Sequence, residues 1–209
     1  LAFNALISGN LAQQTRWRSA TICPCANPDS GAATPGCPRC SGRGRVWADP
    51  VDCLMGVAST KDAAKYAQQF NMDTGDILLV VDESCPAYDA GLFDRVTMLN
   101  STDRFSLVLT RGSPQERIFN EVESIDRVFW YTGEDGAGDI VEGGHPVIAA
   151  DGRLSWGAGA PPTGKSYSIT GRKFEEYFSY LDFPIQRGQH SGARLPRRMP
   201  VRRFDVFGR

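Results

Sequence analysis

The sequence predicts a mainly β protein: a small antiparallel β-barrel or sandwich with one short helix, an N-terminal knuckle of four cysteines and extended terminal arms. Three observations carry that prediction. From Pro50 onward, short runs of β-branched and aromatic residues alternate with Gly, Asp, Asn and Pro turns, a spacing that suits antiparallel meanders rather than βαβ units. One stretch stands out for its helical periodicity. The segment Thr21 to Asp49 is rich in Cys, Pro and Gly and nearly lacks aliphatic residues, so burial cannot hold it and another staple is required. A chain of 209 residues lies near the upper end of what one hydrophobic core supports. The expected organisation is therefore an N-terminal arm over 1–20, a cysteine knuckle over 21–49, one β body over 50–183 and a basic C-terminal docking arm over 184–209.

In chain order, Leu6 to Gln14 has a short helical pattern interrupted by Gly9 and Asn10. Strands are expected at Cys53 to Ala58, Asp76 to Val81, Arg95 to Leu99, Phe105 to Thr110, Ile125 to Tyr131, Ile140 to Ile148, Tyr167 to Thr170 and Phe174 to Phe183. Turns fall at Asn71 to Gly75, Asn100 to Asp103 and Gly133 to Gly138, and Gly157 to Gly164 reads as a loop. The helix follows the first of these strands. Ser59 or Thr60 caps it, Asp62 sits in its first turn, and Ala63, Tyr66, Ala67 and Phe70 share one face at i, i+3, i+4 and i+7.

Cys23-Pro24-Cys25 is followed, after eleven residues, by Cys37-Pro38-Arg39-Cys40 and then Ser41-Gly42-Arg43-Gly44. Two close pairs separated by a turn-forming loop can bring four thiolates onto one tetrahedral zinc ion, the expected structural cofactor. Pro beside the first cysteine of each pair stiffens the turn, while Gly42 and Gly44 allow the backbone to approach the sulfurs. The single residue between Cys23 and Cys25 is shorter than the usual spacing, so two alternatives stay open: bridging disulfides, which need an oxidising compartment, or free thiols. Cys53 and Cys85 have no close partner in sequence and read as small buried hydrophobes.

Charge is segregated along the chain. Residues 1–50 hold five Arg against two Asp (+3), residues 51–183 eleven basic against twenty-one acidic residues (−10), and residues 184–209 seven Arg against Asp205 (+6). An acidic body with basic ends suits docking of the termini on acidic neighbours, or a basic tail folded back on its own body. In the C-terminal segment, Arg197, Arg198, Arg202 and Arg203 are interleaved with Val201, Phe204, Val206 and Phe207. Apolar anchors at alternate positions favour strand-like docking on an adjacent subunit, with intramolecular docking and nucleic-acid binding as alternatives.

Catalytic signatures are missing from the sequence, and no enzyme activity is expected. His145 and His190 have no nucleophile motif beside them, and neither a P-loop nor a dinucleotide fingerprint occurs. Asp82, Glu83 and Asp89 read as a solvated loop. Trp130, Tyr131, Phe174, Tyr177, Phe178 and Tyr180 read as sheet-face residues, because few basic residues are interleaved for stacking on nucleic acid. Apolar runs fall far short of the roughly 20 residues of a membrane span, and Leu1 to Gln14 lacks the features of a secretion signal.

Two resemblances bear on function. Cys37 to Gly44, CPRCSGRG, is similar to a half-repeat of the zinc modules of DnaJ-class chaperones, and the likeness is confined to that octet. As a whole, the chain resembles the head-to-tail connector proteins of tailed bacteriophages, in particular neck proteins of the head-closure or adaptor kind. The residues that carry this are CPCANPDSGAATPGCPRCSGRGRVW, GDILLVVDESCPAYDAGLFDRVTMLNSTDRFSLVLTRG, the run Ser168 to Arg172 and LPRRMPVRRFDVFGR. The resemblance implies a virion structural protein: a β-barrel subunit of a homo-oligomeric ring at the neck, assembled in the bacterial cytoplasm. Its neighbours would be portal, adaptor or tail proteins, with packaged DNA passing through the lumen without sequence-specific contact. The alternative is a zinc-dependent nucleic-acid-binding or chaperone-like module.

Overall fold

The computed structural model describes residues 12–58, 60–133, 137–181, 188–190 and 192–207. Among the described residues, fourteen strands and one α-helix follow in order: β1 (Gln13–Arg18), β2 (Ala20–Ile22), β3 (Arg45–Trp47), β4 (Val51–Val57), α1 (Thr60–Phe70), β5 (Ile77–Val81), β6 (Arg95–Thr110), β7 (Val122–Tyr131), β8 (Ile140–Glu142), β9 (Val147–Ile148), β10 (Leu154–Ser155), β11 (Ser166–Ser179), β12 (Gln189–His190), β13 (Ala193–Arg194) and β14 (Arg197–Arg203). The expected mainly β class holds. Of the two architectures expected, the structure adopts the barrel. No helix among the described residues is long and apolar enough to cross a membrane.

The chain divides into two compact units, 1–100 with 175–209, and 101–174. In the first, six antiparallel strands run in the order β14-β5-β4-β1-β6-β11, and β11 pairs with β14 to close the barrel. Closure removes the edges that an open sheet would expose. Met55, Leu79, Val81, Val96, Met98, Tyr177, Met199 and Val201 fill the interior, one or more from nearly every strand. The helix α1 carries the expected face: Phe70 is buried and Ala63, Tyr66 and Ala67 are half-buried, while Ala64, Lys65, Gln68 and Gln69 are exposed. Tyr66 stacks on Phe70 at 5.6 Å, and the Phe70 carbonyl accepts from the Tyr180 hydroxyl at 2.9 Å.

The second unit combines the remaining residues of β6 and β11 with β7, β8 and the β9–β10 hairpin around Phe105, Ile118, Val128, Trp130, Tyr167 and Ile169. Glu116 is its polar keystone. One carboxylate oxygen accepts from Trp156 Nε1 and Tyr167 Oη, both at 2.9 Å, and the other from the Gly112 amide at 2.7 Å and Arg111 at 3.2 Å.

Several expected boundaries are corrected. The lead-in over 1–20 is not simply an arm: Gln13–Arg18 is a barrel strand between β4 and β6, because Thr15 is buried with its hydroxyl bonded to the Cys53 carbonyl. The helical piece expected at Leu6 to Gln14 lies mostly outside the described residues, and its end belongs to β1. The turn expected at Asn100 to Asp103 is absent, and β6 runs unbroken for 16 residues. A ladder partner outweighs local turn preference at these positions. Tyr167 to Thr170 and Phe174 to Phe183 likewise merge into the single strand β11, with irregularities at Thr170/Gly171 and Arg172/Lys173 in its pairing with β7. Gly171 permits this, since a Cβ there would stand 2.1 Å from the Ser124 carbonyl oxygen. Finally, β14 takes the C-terminal segment into the barrel wall, and the body expected over 50–183 is split between the two units.

Candidate metal centre

The four knuckle cysteines converge. Cys23 leaves β2 and Cys40 precedes β3, and those strands pair antiparallel as a stem, Ile22 opposite Arg45 and Ala20 opposite Trp47. Between them, the Asn27 side chain accepts from the amides of Asp29 and Ser30 at 2.8 and 3.0 Å, turning the chain back after the first pair. The Thr34 hydroxyl donates to the Cys25 carbonyl at 2.9 Å. After Cys37, the Ser41 amide donates to the Cys37 carbonyl at 2.8 Å, with Ser41 at φ 50° and Gly42 at φ 82°. Left-handed backbone at two successive residues reverses the chain tightly enough to return to the stem.

All four sulfurs lie within 4.8 Å of one another. Cys23 Sγ is 3.9 Å from Cys37 Sγ and Cys25 Sγ is 3.4 Å from Cys40 Sγ, and all are free thiols. A tetrahedral ion with bonds of about 2.3 Å requires sulfur separations of about 3.8 Å, so the cage has the size of a four-thiolate site. Cys23 and Cys40 are each 2% exposed and Cys37 is 8% exposed. The Gly44 amide points at Cys40 Sγ from 3.4 Å, the kind of N–H to sulfur contact that disperses thiolate charge. The Cys37 thiol is lowered to about 6, chiefly by the Cys40 backbone and then by that of Arg39. The Thr34 backbone lowers Cys25 too, but burial and its neighbouring thiols outweigh this and push it up to about 12. Binding of a metal ion at such a cluster displaces the thiol protons.

The stem ties the cage to the barrel within the same unit. Trp47 Nε1 donates to the Phe93 carbonyl at 3.0 Å, and its ring meets Phe204 and Phe207 edge-on at 5.3 and 5.7 Å. Asp94 accepts from Trp17 Nε1 at 2.9 Å and from the Ala20 amide at 2.7 Å. Arg43 lies 5.4 Å over Phe204, and its pKa is lowered to about 10 by burial and by Arg95, against the raising influence of Glu176, Asp205 and Cys40. Arg95 is itself held by the buried Glu176 at 2.5 Å. Phe93 has φ 68°, a costly conformation for an aromatic residue, and packs against Phe178 and Phe207.

The residues expected to dock on a neighbour are largely spent inside their own chain. Arg197 is buried and donates to the carbonyls of Tyr88 and Ala90, both at 2.8 Å. Val201 and Phe204 are buried in the barrel unit, and Phe207 packs on Trp47, Phe93 and Phe178. Arg202 pairs with Asp73 and Asp76 at 2.7 and 2.9 Å and lies 4.4 Å over the Tyr180 ring. Arg203 sits opposite Tyr177 in the ladder, and Val206 belongs to the 3-10 turn Phe204–Val206. Arg198 is exposed, 4.8 Å over the Tyr66 ring. Strand-like docking with aromatic anchors therefore occurs, but on the chain's own acidic barrel, where complementary charge costs no association entropy. Sequence reasoning missed the supports of the cage: Trp47 stands on one segment and the adjacent Phe93 and Asp94 on another, and no periodicity joins them.

No protein-family model matches the sequence, and no curated protein matches it with significant similarity.

Proposed function

We propose that the protein is a non-enzymatic structural component of a tailed-bacteriophage virion, a ring subunit of the head-to-tail connector stabilised by one structural zinc ion on Cys23, Cys25, Cys37 and Cys40. The observation that carries the reading is the way β1 and β14, far apart in the sequence, are built into one closed barrel beside a cysteine cage. Such a scaffold holds its shape without a bound substrate, as a ring under mechanical stress requires. The resemblance in sequence named above spans the same elements: the cage, β5 through β6, and β11 with β14. The zinc would act as a staple, replacing the apolar core that residues 21–49 lack.

Apolar side chains left exposed, Leu107, Val108, Ile140 and Val147, supply material for contacts between copies, and heterologous contacts of one kind close a ring. The net −10 of residues 51–183 would repel the DNA backbone and leave it free to slide through the lumen. Arg194 and Arg202 lie against Asp89, Asp73 and Asp76, which offsets part of the C-terminal positive charge.

Light scattering and electron microscopy of the purified zinc-loaded protein test this reading, with a closed ring, or its incorporation into particles at the neck, as the expected result. A monomer that binds nucleic acid with affinity falling steeply in salt would replace it with the binding-module alternative.

A further inference from the structure

The cage meets the barrel through one short run, Arg43-Gly44-Arg45. Gly44 serves the sulfurs: its amide donates to Cys40 Sγ at 3.4 Å and its carbonyl accepts from the Cys23 amide at 2.9 Å. The arginines on either side of it lie on rings. Arg43 is 5.4 Å over Phe204 and Arg45 is 4.4 Å over Phe93, while the Trp47 ring meets Phe204 and Phe207 edge-on. Phe207 completes the cluster. It packs edge-on against Phe178 of β11 at 4.9 Å and against Phe93 at 5.7 Å, and stacks on Phe204 at 5.7 Å. Phe204 is 1% exposed, and Arg95, held by the buried Glu176, lies 4.1 Å over its ring. The orientation of Arg43 and Arg45, and with it that of the amide supporting Cys40, is therefore fixed by rings anchored in the barrel.

We propose that Phe204 and Phe207 are positioning residues for the metal site: they clamp the stem against the barrel, hold the cage close to its metal-bound shape and so raise its affinity for the ion. This rests on the reading of the four cysteines as a metal site. A cage on a free stem would lose the conformational entropy of the stem each time it bound an ion; a stem already fixed by rings has lost part of that entropy on folding. Edge-on ring pairs and cations over ring faces are directional contacts, so they set the angle of the stem as well as its distance from the barrel. Coupling of this kind is reciprocal. Metal occupancy orders the stem, and an ordered stem holds Phe204 and Phe207 in place more firmly.

The test titrates the full-length, metal-free protein with cobalt alone, whose absorption bands report tetrahedral thiolate ligation, and then obtains the zinc affinity by competition. Wild type, Phe207→Leu and Arg45→Met should each bind one equivalent with the same spectrum, and both variants should bind about tenfold or more weakly. Tyr66→Leu, which alters the ring pair on α1 instead, should bind as the wild type does. In the wild type, amide exchange at 204–207 should slow on saturation with metal. Cooperative unfolding of the metal-free variants checks that the barrel is intact, and Arg45→Met, at a half-buried position outside the core, decides the matter if Phe207→Leu does not fold. A wild type that binds no cobalt would end the metal reading and the coupling with it. One equivalent bound with unchanged affinity in the folded variants, or exchange at 204–207 indifferent to metal, would overturn the coupling and leave the metal reading standing.

Discussion

The cysteine cage and the unit over 101–174 solve one problem in opposite ways. Each ties together loops that local sequence alone would not hold. In the cage, four sulfurs within 4.8 Å present a site that could hold a metal ion taken from outside, as proposed above. Around Glu116, a single carboxylate satisfies two ring donors, an amide and an arginine with groups that the chain itself supplies. An ion held in the first arrangement could be removed by chelators as well as by protons, whereas the second has no external component to remove and fails on a change of its own residues or on protonation of its carboxylate. Stapling by ligand allows a stretch such as 21–49 to dispense with a core; stapling by carboxylate works because Phe105, Ile118, Val128 and Ile169 already exclude water.

The largest expected effect comes from breaking the cage. Cys37→Ser should lower bound zinc from one equivalent to near zero by elemental analysis, and amide exchange over 21–47 should rise to nearly unprotected rates. The barrel, with its separate core, should still unfold cooperatively. Because Trp47 packs on Phe204 and Phe207, its fluorescence should shift on metal removal, and an unchanged spectrum would show the stem to stand without the ion.

Next in size is Glu116→Ala, which leaves the buried Tyr167 hydroxyl, the half-buried Trp156 ring and the Gly112 amide without their acceptor. Equilibrium unfolding should show a loss of about 3 kcal/mol or more, with exchange rising in 101–174 and unaltered in the cage. Glu116→Gln retains an acceptor and should cost clearly less.

Acid titration separates the two staples by sign. Burial would raise the Glu116 pKa, but the Gly112 amide, Trp156, Tyr167 and Arg111 outweigh it and hold the carboxyl below the usual range. Its stabilisation is therefore complete above the ordinary glutamate value of about 4.3 and is lost as pH falls through the lower folded value. Metal thiolates compete with protons at higher pH, so zinc release should precede any loosening around Glu116, as read by a zinc indicator and near-ultraviolet circular dichroism on one titration. The reverse order would contradict the comparison.

The smallest effect is expected from Arg127→Gln. Its pair with Glu142 has the same chemistry as the contact of Arg111 with Glu116, but both partners are exposed. The unfolding midpoint should not move measurably, which would show that burial, and not the charge pair, gives the keystone its strength.

Local information in the sequence determined whatever depends on near neighbours. The Cys-Pro-Cys and Cys-Pro-Arg-Cys spacings announced the cage, the i, i+3, i+4, i+7 pattern announced α1, and β-branched runs located β4, β5 and β7 to within a few residues. What only the tertiary structure decided depends on partners distant along the chain. Gln13–Arg18 has no strong strand pattern and becomes a strand because β4 and β6 flank it on both sides. Arg197–Arg203 reads as a charged arm until β5 and β11 supply ladders and Asp73 and Asp76 supply counter-charges. Asn100 to Asp103 carries turn residues yet stays extended within β6. In each case the free energy of pairing and burial exceeds a local preference worth about 1 kcal/mol or less, and that excess exists only once the barrel has closed.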